Sequence, residues 1–159
     1  MEELSAVLWK ERELLEVLLY KLECEQLLLV SGKTRWLNRA AEDISQVAEK
    51  LRGIGLARAV EVATIAEKIG APEDASLRQI IDATEEGPWR EILNAHLAAY
   101  LDLTGQIQHL RDANEQLLRA ANRATQETMA NRDTAANTYD ARGFAGTNAS
   151  GARLIDRDI

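Results

Sequence analysis

Aromatic residues, prolines and cysteines are scarce in this sequence of 159 residues. Only 4% of the residues are aromatic although 46% are hydrophobic, so the apolar content is mainly leucine, alanine, valine and isoleucine. Together with abundant glutamate, arginine and glutamine, this composition is typical of long helices and coiled coils. The single cysteine, Cys24, cannot form an internal disulfide, which fits a reducing compartment.

The sequence also lacks a basic surface and a long apolar run. Its net charge is -7, and no basic stripe with interleaved aromatic residues is present, so we expect no nucleic-acid partner. The apolar runs near the N-terminus, such as Leu27–Val30, are far short of the roughly 20 residues that span a bilayer. No targeting signal is visible either, so the sequence predicts a cytoplasmic protein without membrane insertion.

Groups that could support catalysis are sparse. The two histidines, His96 and His109, are thirteen residues apart, which does not match the i,i+4 spacing of a helical metal site. Cys24 lies in a leucine-rich segment with no histidine nearby in sequence, so we interpret it as a structural thiol. We therefore expect no catalytic residue, no metal ligand and no cofactor, and a protein that is not an enzyme.

Hydrophobic periodicity predicts a first helix over residues 2–30. Its apolar residues recur in steps of three and four, close to a heptad pattern, and Glu11 and Glu25 occupy two of the expected apolar positions. We expect this helix to end at Ser31-Gly32, because glycine readily adopts the left-handed conformation that closes a helix.

Three further helices are predicted. The second runs from about residue 35 to 69, is capped by Thr34 and has a kink or short break at Gly53-Ile54-Gly55. A short helix covers residues 76–84, and a long one runs from Pro88 to about Met129.

The pattern therefore indicates an all-α fold, an elongated antiparallel helical bundle or coiled coil of long amphipathic helices. Residues 1–129 are predicted to form the helical domain, with Trp36 and Trp89 in its core. Residues 130–159 show no hydrophobic period and few large apolar residues. We expect them to form a flexible C-terminal tail that is disordered when free.

Four segments in order along the chain carry a family resemblance. They are LLLVSGKTRWLNRAAED at Leu27–Asp43, the segment beginning EKIG at residues 67–84, LRDANEQLLRAAN at Leu110–Asn122, and TYDARG at Thr138–Gly143. In combination, these segments resemble the FlgN family of flagellar type III export chaperones, and the resemblance covers essentially the whole chain.

This resemblance implies a cytoplasmic export chaperone. Such a protein binds the terminal helices of hook-associated proteins of the hook–filament junction, prevents their premature association and delivers them to the flagellar type III export apparatus. A client helix would dock on an apolar groove of the last helix, and aromatic side chains in the tail would anchor it. The predicted protein-binding residues are Asn114, Leu117, Leu118, Ala121, Thr125, Met129, Tyr139 and Phe144.

Two alternatives stay open at this point. Leucine, alanine and methionine at helical spacing are also what the core of a bundle contains, so the residues predicted on the last helix have a structural interpretation as well. The alternative function is a self-associating coiled-coil structural or scaffold protein, which would not need residues 129–144 for a client. The sequence leaves both a monomer and a homodimer open, because either satisfies an apolar stripe.

Overall fold

The predicted all-α fold is confirmed. A computed structural model describes residues 1–72 and 74–136, with side chains as far as residue 131, and contains no strand in this part of the chain. Its elements are helix α1 (Glu2–Val30), a 3-10 turn (Thr34–Trp36), and the helices α2 (Leu37–Ile69), α3 (Leu77–Ala83) and α4 (Pro88–Ala136). None of the helices in the described residues is long and apolar enough to cross a membrane.

The turn between α1 and α2 begins as predicted and continues differently. Gly32 has a left-handed φ of 66°, and the Lys33 amide donates a 3.0 Å hydrogen bond to the Leu28 carbonyl, which closes α1. The predicted Thr34 cap is wrong, because Thr34 lies inside the 3-10 turn and no side chain caps α2. Helix α2 therefore begins without a side-chain cap, directly after the 3-10 turn.

Helix α2 continues through the two glycines at which a kink or break was expected. Gly53 and Gly55 both have helical geometry, so the prediction of a break is wrong. Each glycine costs about 1 kcal/mol relative to alanine, and the packing of the 33-residue helix along its inner face offsets this cost. The helix ends at Gly70, whose φ of 69° is left-handed, as the sequence predicted.

The predicted short helix is confirmed as α3. Its first turn has a capping box, in which the Gln79 amide donates to the Ser76 hydroxyl and the Ser76 amide donates to the Gln79 side chain. Ile80 and Ile81 of this helix are buried. The capping box and the two isoleucines fix α3 in the connection between α2 and α4.

Helices α1 and α2 form an antiparallel hairpin. Near the turn, Lys21 donates a 2.7 Å hydrogen bond to the Asp43 carboxylate. Further from the turn, the Arg58 Nε atom lies 3.5 Å from the Glu11 carboxylate. Residue numbers rise along α1 while they fall along α2, which establishes the antiparallel pairing.

Helix α4 runs parallel to α1. The Ser5 hydroxyl lies 3.1 Å from Nε2 of His96, and the Asn114 side chain donates a 2.9 Å hydrogen bond to the Leu22 carbonyl. The two contacts are separated by similar numbers of residues on α1 and on α4, and in the same direction. The two helices therefore pack side by side over this length.

The apolar core lies where the N-terminal half of α1 meets the end of α2, α3 and the start of α4. Leu4, Ile80 and Leu93 are completely buried there. The buried cluster comprises Leu4, Leu8, Val62, Ile65, Ala66, Ala75, Ile80, Ile81 and Leu93.

Two predicted core residues and one helix boundary need correction. Trp36 and Trp89 are exposed by 50% and 39%, because one lies in the 3-10 turn and the other in the first turn of α4, away from the apolar cluster. Helix α4 extends past Met129 to Ala136, so residues 130–136 belong to the helix. The rest of the predicted tail, residues 137–159, lies outside the described residues.

By compactness the chain divides into two units, Met1–Leu118 and a second one that begins at Arg119. The first contains the hairpin, α3 and the part of α4 that packs against α1. Of the second, the structure describes the helical residues 119–136.

Candidate protein-binding surface

Asn114, the first of the predicted binding residues, lies inside the first unit. Its side chain is only 2% exposed, and its amide nitrogen donates to the Leu22 carbonyl and to the Glu25 carboxylate, each at 2.9 Å. These two bonds tie α4 to α1, and they explain why a glutamate occupies an apolar position of the α1 heptad pattern. In this conformation Asn114 is a contact between helices and is not accessible to a partner.

Leu117 and Leu118 follow at the end of the first unit. Both are half-buried. They pack in part within the bundle and present the rest of their apolar surface to solvent. A role in the core and a role in client binding therefore both retain support for these two residues.

The predicted residues of the second unit are all exposed. Every residue from Arg119 to Asn131 is exposed, and Met129 has 65% of its surface accessible. This stretch of α4 therefore contains no buried residue among those whose side chains the structure describes, and the core interpretation of Ala121, Thr125 and Met129 finds no support within the second unit.

A shallow depression on this stretch is lined by Ala124, Thr125, Thr128 and Met129. The Thr125 hydroxyl donates to the Ala121 carbonyl at 3.0 Å, and the Thr128 hydroxyl donates to the Ala124 carbonyl at 2.8 Å. Because their hydroxyls are bonded to the helix backbone, these threonines can offer methyl groups to a partner without losing a hydrogen bond to water.

The charges of this stretch lie on the other side of the helix. Arg123 and Glu127 are four residues apart, and at 100° per residue they fall roughly opposite Ala121, Thr125 and Thr128. The exposed end of α4 is thus amphipathic, with a narrow strip of small apolar groups. That is the kind of strip against which another helix packs closely.

The structure also brings together a polar layer that the sequence analysis did not predict. Glu11 is 4% exposed, and the guanidinium of Arg58 lies 3.5 Å from it and 5.4 Å from the centre of the Tyr100 ring. Burial raises the pKa of the Glu11 carboxyl, and the positive charge of Arg58 opposes this in part. The only signal in the sequence was a glutamate at an apolar heptad position.

A second unpredicted layer surrounds His96. The imidazole is 7% exposed, contacts the Ser5 hydroxyl and packs edge-on against the Trp9 ring at 5.4 Å. The guanidinium of Arg12 lies over the Trp9 ring, 5.3 Å from its centre. Burial lowers the pKa of His96, and the nearby charge of Arg12 lowers it further. These contacts give His96 a structural role within the bundle.

The remaining predicted anchors, Tyr139 and Phe144, lie outside the described residues. Because the structure does not describe them, their assignment as client contacts stays a prediction.

Comparison with known proteins identifies one family. The model of the FlgN protein family matches residues 1–146, which is most of the chain and includes all of the described helices. No curated protein and no solved structure matches the chain. The family is one of flagellar export chaperones, and the all-α architecture agrees with it. Since the match extends over far more than half of its length, the chain belongs to the FlgN family.

Proposed function

We propose that this protein binds the terminal helices of hook-associated proteins in the cytoplasm, prevents their premature association and delivers them to the flagellar type III export apparatus. The observation that carries the proposal is the exposed apolar strip of α4 between Ala121 and Met129 in a chain of the FlgN family. The first unit's share of α4 differs in that it also contributes buried side chains, such as Leu93, to the apolar cluster.

The chemistry of the strip suits an amphipathic client helix. Alanine side chains permit close approach of two helices, and the Met129 thioether adapts its shape to different apolar partners. Apolar surface removed from water contributes roughly 25 cal/mol per Å², so even a short helix pairing stabilises a complex appreciably. A client that forms coiled-coil helices after export presents the apolar stripe that such a strip would cover.

The predicted residues have different proposed roles. Ala121, Thr125 and Met129 of the second unit contact the client directly, and Leu117 and Leu118 of the first unit are separate proposed contacts through their exposed surface. Asn114 acts through α1, because its side chain is already bonded to Leu22 and Glu25, so we regard it as a positioning residue. The list of proposed client contacts is completed by the tail aromatics Tyr139 and Phe144.

Isothermal titration calorimetry with the purified C-terminal segments of the two hook-junction proteins tests the proposal. We expect one-to-one binding by the full-length chain. A Met129→Glu variant should bind at least about tenfold more weakly, because the introduced carboxylate would have to lose its hydration on binding. Leu101→Glu is the matched control, since Leu101 is similarly exposed on α4 but lies in the first unit.

Truncation after Ala136, the last residue of α4, tests the tail separately. If Tyr139 and Phe144 anchor the client, the truncated chain should bind more weakly than the full chain while keeping its helical circular dichroism. If the folded full-length chain binds neither segment, the client-binding proposal is wrong and the self-associating coiled-coil protein becomes the function to pursue.

A further inference from the structure

The outer face of α2 carries an apolar surface that the client-binding strip does not include. Between Arg52 and Glu67, every exposed residue is uncharged. Leu56 and Val60 have 72% and 64% of their surfaces accessible, and with their uncharged neighbours they form a contiguous patch. The exposed residues in this interval are Gly53, Leu56, Ala57, Ala59, Val60 and Thr64.

The two charged residues within this interval do not interrupt the surface. Arg58 is directed towards Glu11 and Tyr100 on the inner side of the helix, and Glu61 is half-buried. No other charged side chain lies between Arg52 and Glu67. The outer face of α2 therefore has a continuous uncharged centre with charged residues only at its two ends.

The exposed residues of this face follow a heptad spacing. Starting at Lys50 and ending at Glu67, exposed residues recur in steps of three and four along one side of α2, and we call this line the α2 outer seam. Its members are Lys50, Gly53, Ala57, Val60, Thr64 and Glu67. At 1.5 Å per residue the seam is about 26 Å long. A heptad seam on the solvent side of a bundle is the pattern by which a helix pairs with a further helix.

The α2 outer seam is complementary to itself. When two copies are paired antiparallel about a two-fold axis between Ala57 and Val60, Lys50 of each copy lies opposite Glu67 of the other. The same operation places Gly53 opposite Thr64 and Ala57 opposite Val60, so a smaller residue faces a larger one at each level. Opposite charges therefore meet at both ends, as an isologous interface requires.

We propose that the α2 outer seam is a homodimer interface, in which two copies of this chain pair their α2 helices antiparallel. The seam occupies one face of one helix, which is less than the roughly 800 Å² per partner of a standard interface. The dimer is therefore weak and concentration-dependent, with a dissociation constant on the order of 10–100 µM. This inference does not rest on the proposed client, because the seam belongs to α2 and the client strip to the end of α4.

Sedimentation equilibrium of the full-length protein from about 1 to 500 µM, at low and high salt, tests the interface. The average mass should rise with concentration from that of the 17.7 kDa monomer towards twice that value. Val60→Asp should abolish the rise, because it would place a carboxylate on each side of the two-fold axis. Since Val60 is exposed in the monomer, its fold should be unaffected, and circular dichroism checks this. Leu101→Asp is the matched control and should dimerise as the parent chain does.

Charge exchange tests the register of the pairing. Lys50→Glu and Glu67→Lys should each weaken dimerisation about tenfold, since each places like charges at both ends of the interface. The double variant restores opposite charges and should recover the parent's dissociation constant to within about threefold. A chain that stays monomeric at every concentration overturns the proposal. So does a dimer that is indifferent to Val60→Asp, or a double exchange that fails to restore the association.

Discussion

The two stretches of α4 show how one helix can serve both a fold and a partner. From Pro88 to Leu118 the helix contributes buried side chains, and from Arg119 to Asn131 every residue is exposed. The first stretch buries large groups or polar groups bonded to α1, whereas the second contains mainly alanine, arginine, threonine and asparagine. The buried residues of the first stretch are Leu93, His96, Leu103 and Asn114.

The difference indicates that the two stretches are helical for different reasons. In the first, burial of side chains against α1, α2 and α3 stabilises the helix. In the second, the helix depends on local terms, because alanine, arginine and glutamine are strong helix formers and continue a helix that has already been nucleated. A helix that is stable without burying its apolar side keeps that side available to a partner.

The largest expected effect is the contrast between Leu93 and Met129. Leu93→Ala removes a fully buried side chain from the apolar cluster and should lower the free energy of unfolding by about 2–5 kcal/mol. Met129→Ala should change it by less than about 0.5 kcal/mol, because Met129 is 65% exposed. Urea denaturation followed by circular dichroism measures both. Equal losses would show that Met129 also belongs to a packed core.

The next effect concerns the buried carboxylate of Glu11 on α1 and its cation, Arg58, on α2. Arg58→Met leaves Glu11 without its cation and should cost about 1–3 kcal/mol at neutral pH. Burial raises the pKa of Glu11 above its unfolded value, so its contribution to stability is fully present below pH 4.5 and is lost as the pH rises through the folded pKa.

The pH dependence gives this prediction its control. We compare the free energy of unfolding of Glu11→Gln with that of the parent. The difference should favour the variant more at pH 7 than at pH 4, because glutamine has no charge to desolvate. Glu13→Gln, on the exposed side of α1, should show no such change. A stability difference between Glu11→Gln and the parent that is independent of pH would contradict the raised pKa.

Much of the fold could be predicted from the sequence, because helix boundaries follow from local chemistry. Gly32 and Gly70 end their helices in the left-handed conformation, and Pro88 begins α4, as expected. The expected break at Gly53 was wrong, because tertiary packing of the opposite side of α2 outweighs the local cost of glycine. The two tryptophans were misplaced for a related reason, since a large apolar residue near a helix start need not face the core.

The candidate surface could be predicted only in part. The sequence indicated which residues of α4 recur at helical spacing, but not where the packed stretch of the helix ends. Asn114 shows the limit most clearly, because whether an asparagine faces a client or a neighbouring helix depends on the position of α1. The polar layers around Glu11 and His96 were missed for the same reason, as their partners lie on other helices.

A third comparison uses two asparagines on the two stretches of α4. Asn114→Ala removes two hydrogen bonds to α1 and should cost about 1–2 kcal/mol. Asn122→Ala, in the exposed stretch, should be neutral or slightly stabilising, because alanine is the better helix former. Chemical denaturation measures both variants. If Asn114→Ala costs nothing, the bonds to Leu22 and Glu25 do not hold α4 in place.

The smallest expected effect is the acid sensitivity of His96. Because its pKa is lowered in the folded chain, the stability it contributes is fully present above its unfolded pKa of 6.5 and is lost as the pH falls. His96→Gln should therefore lose less stability than the parent between pH 7.5 and about 5.5, by up to about 1 kcal/mol. His109→Gln, exposed on the same helix, should follow the parent. Parallel curves for the parent and His96→Gln would mean that protonated His96 is accommodated beside Ser5 and Trp9. The first stretch of α4 would then be less tightly packed around His96 than the burial of this residue indicates.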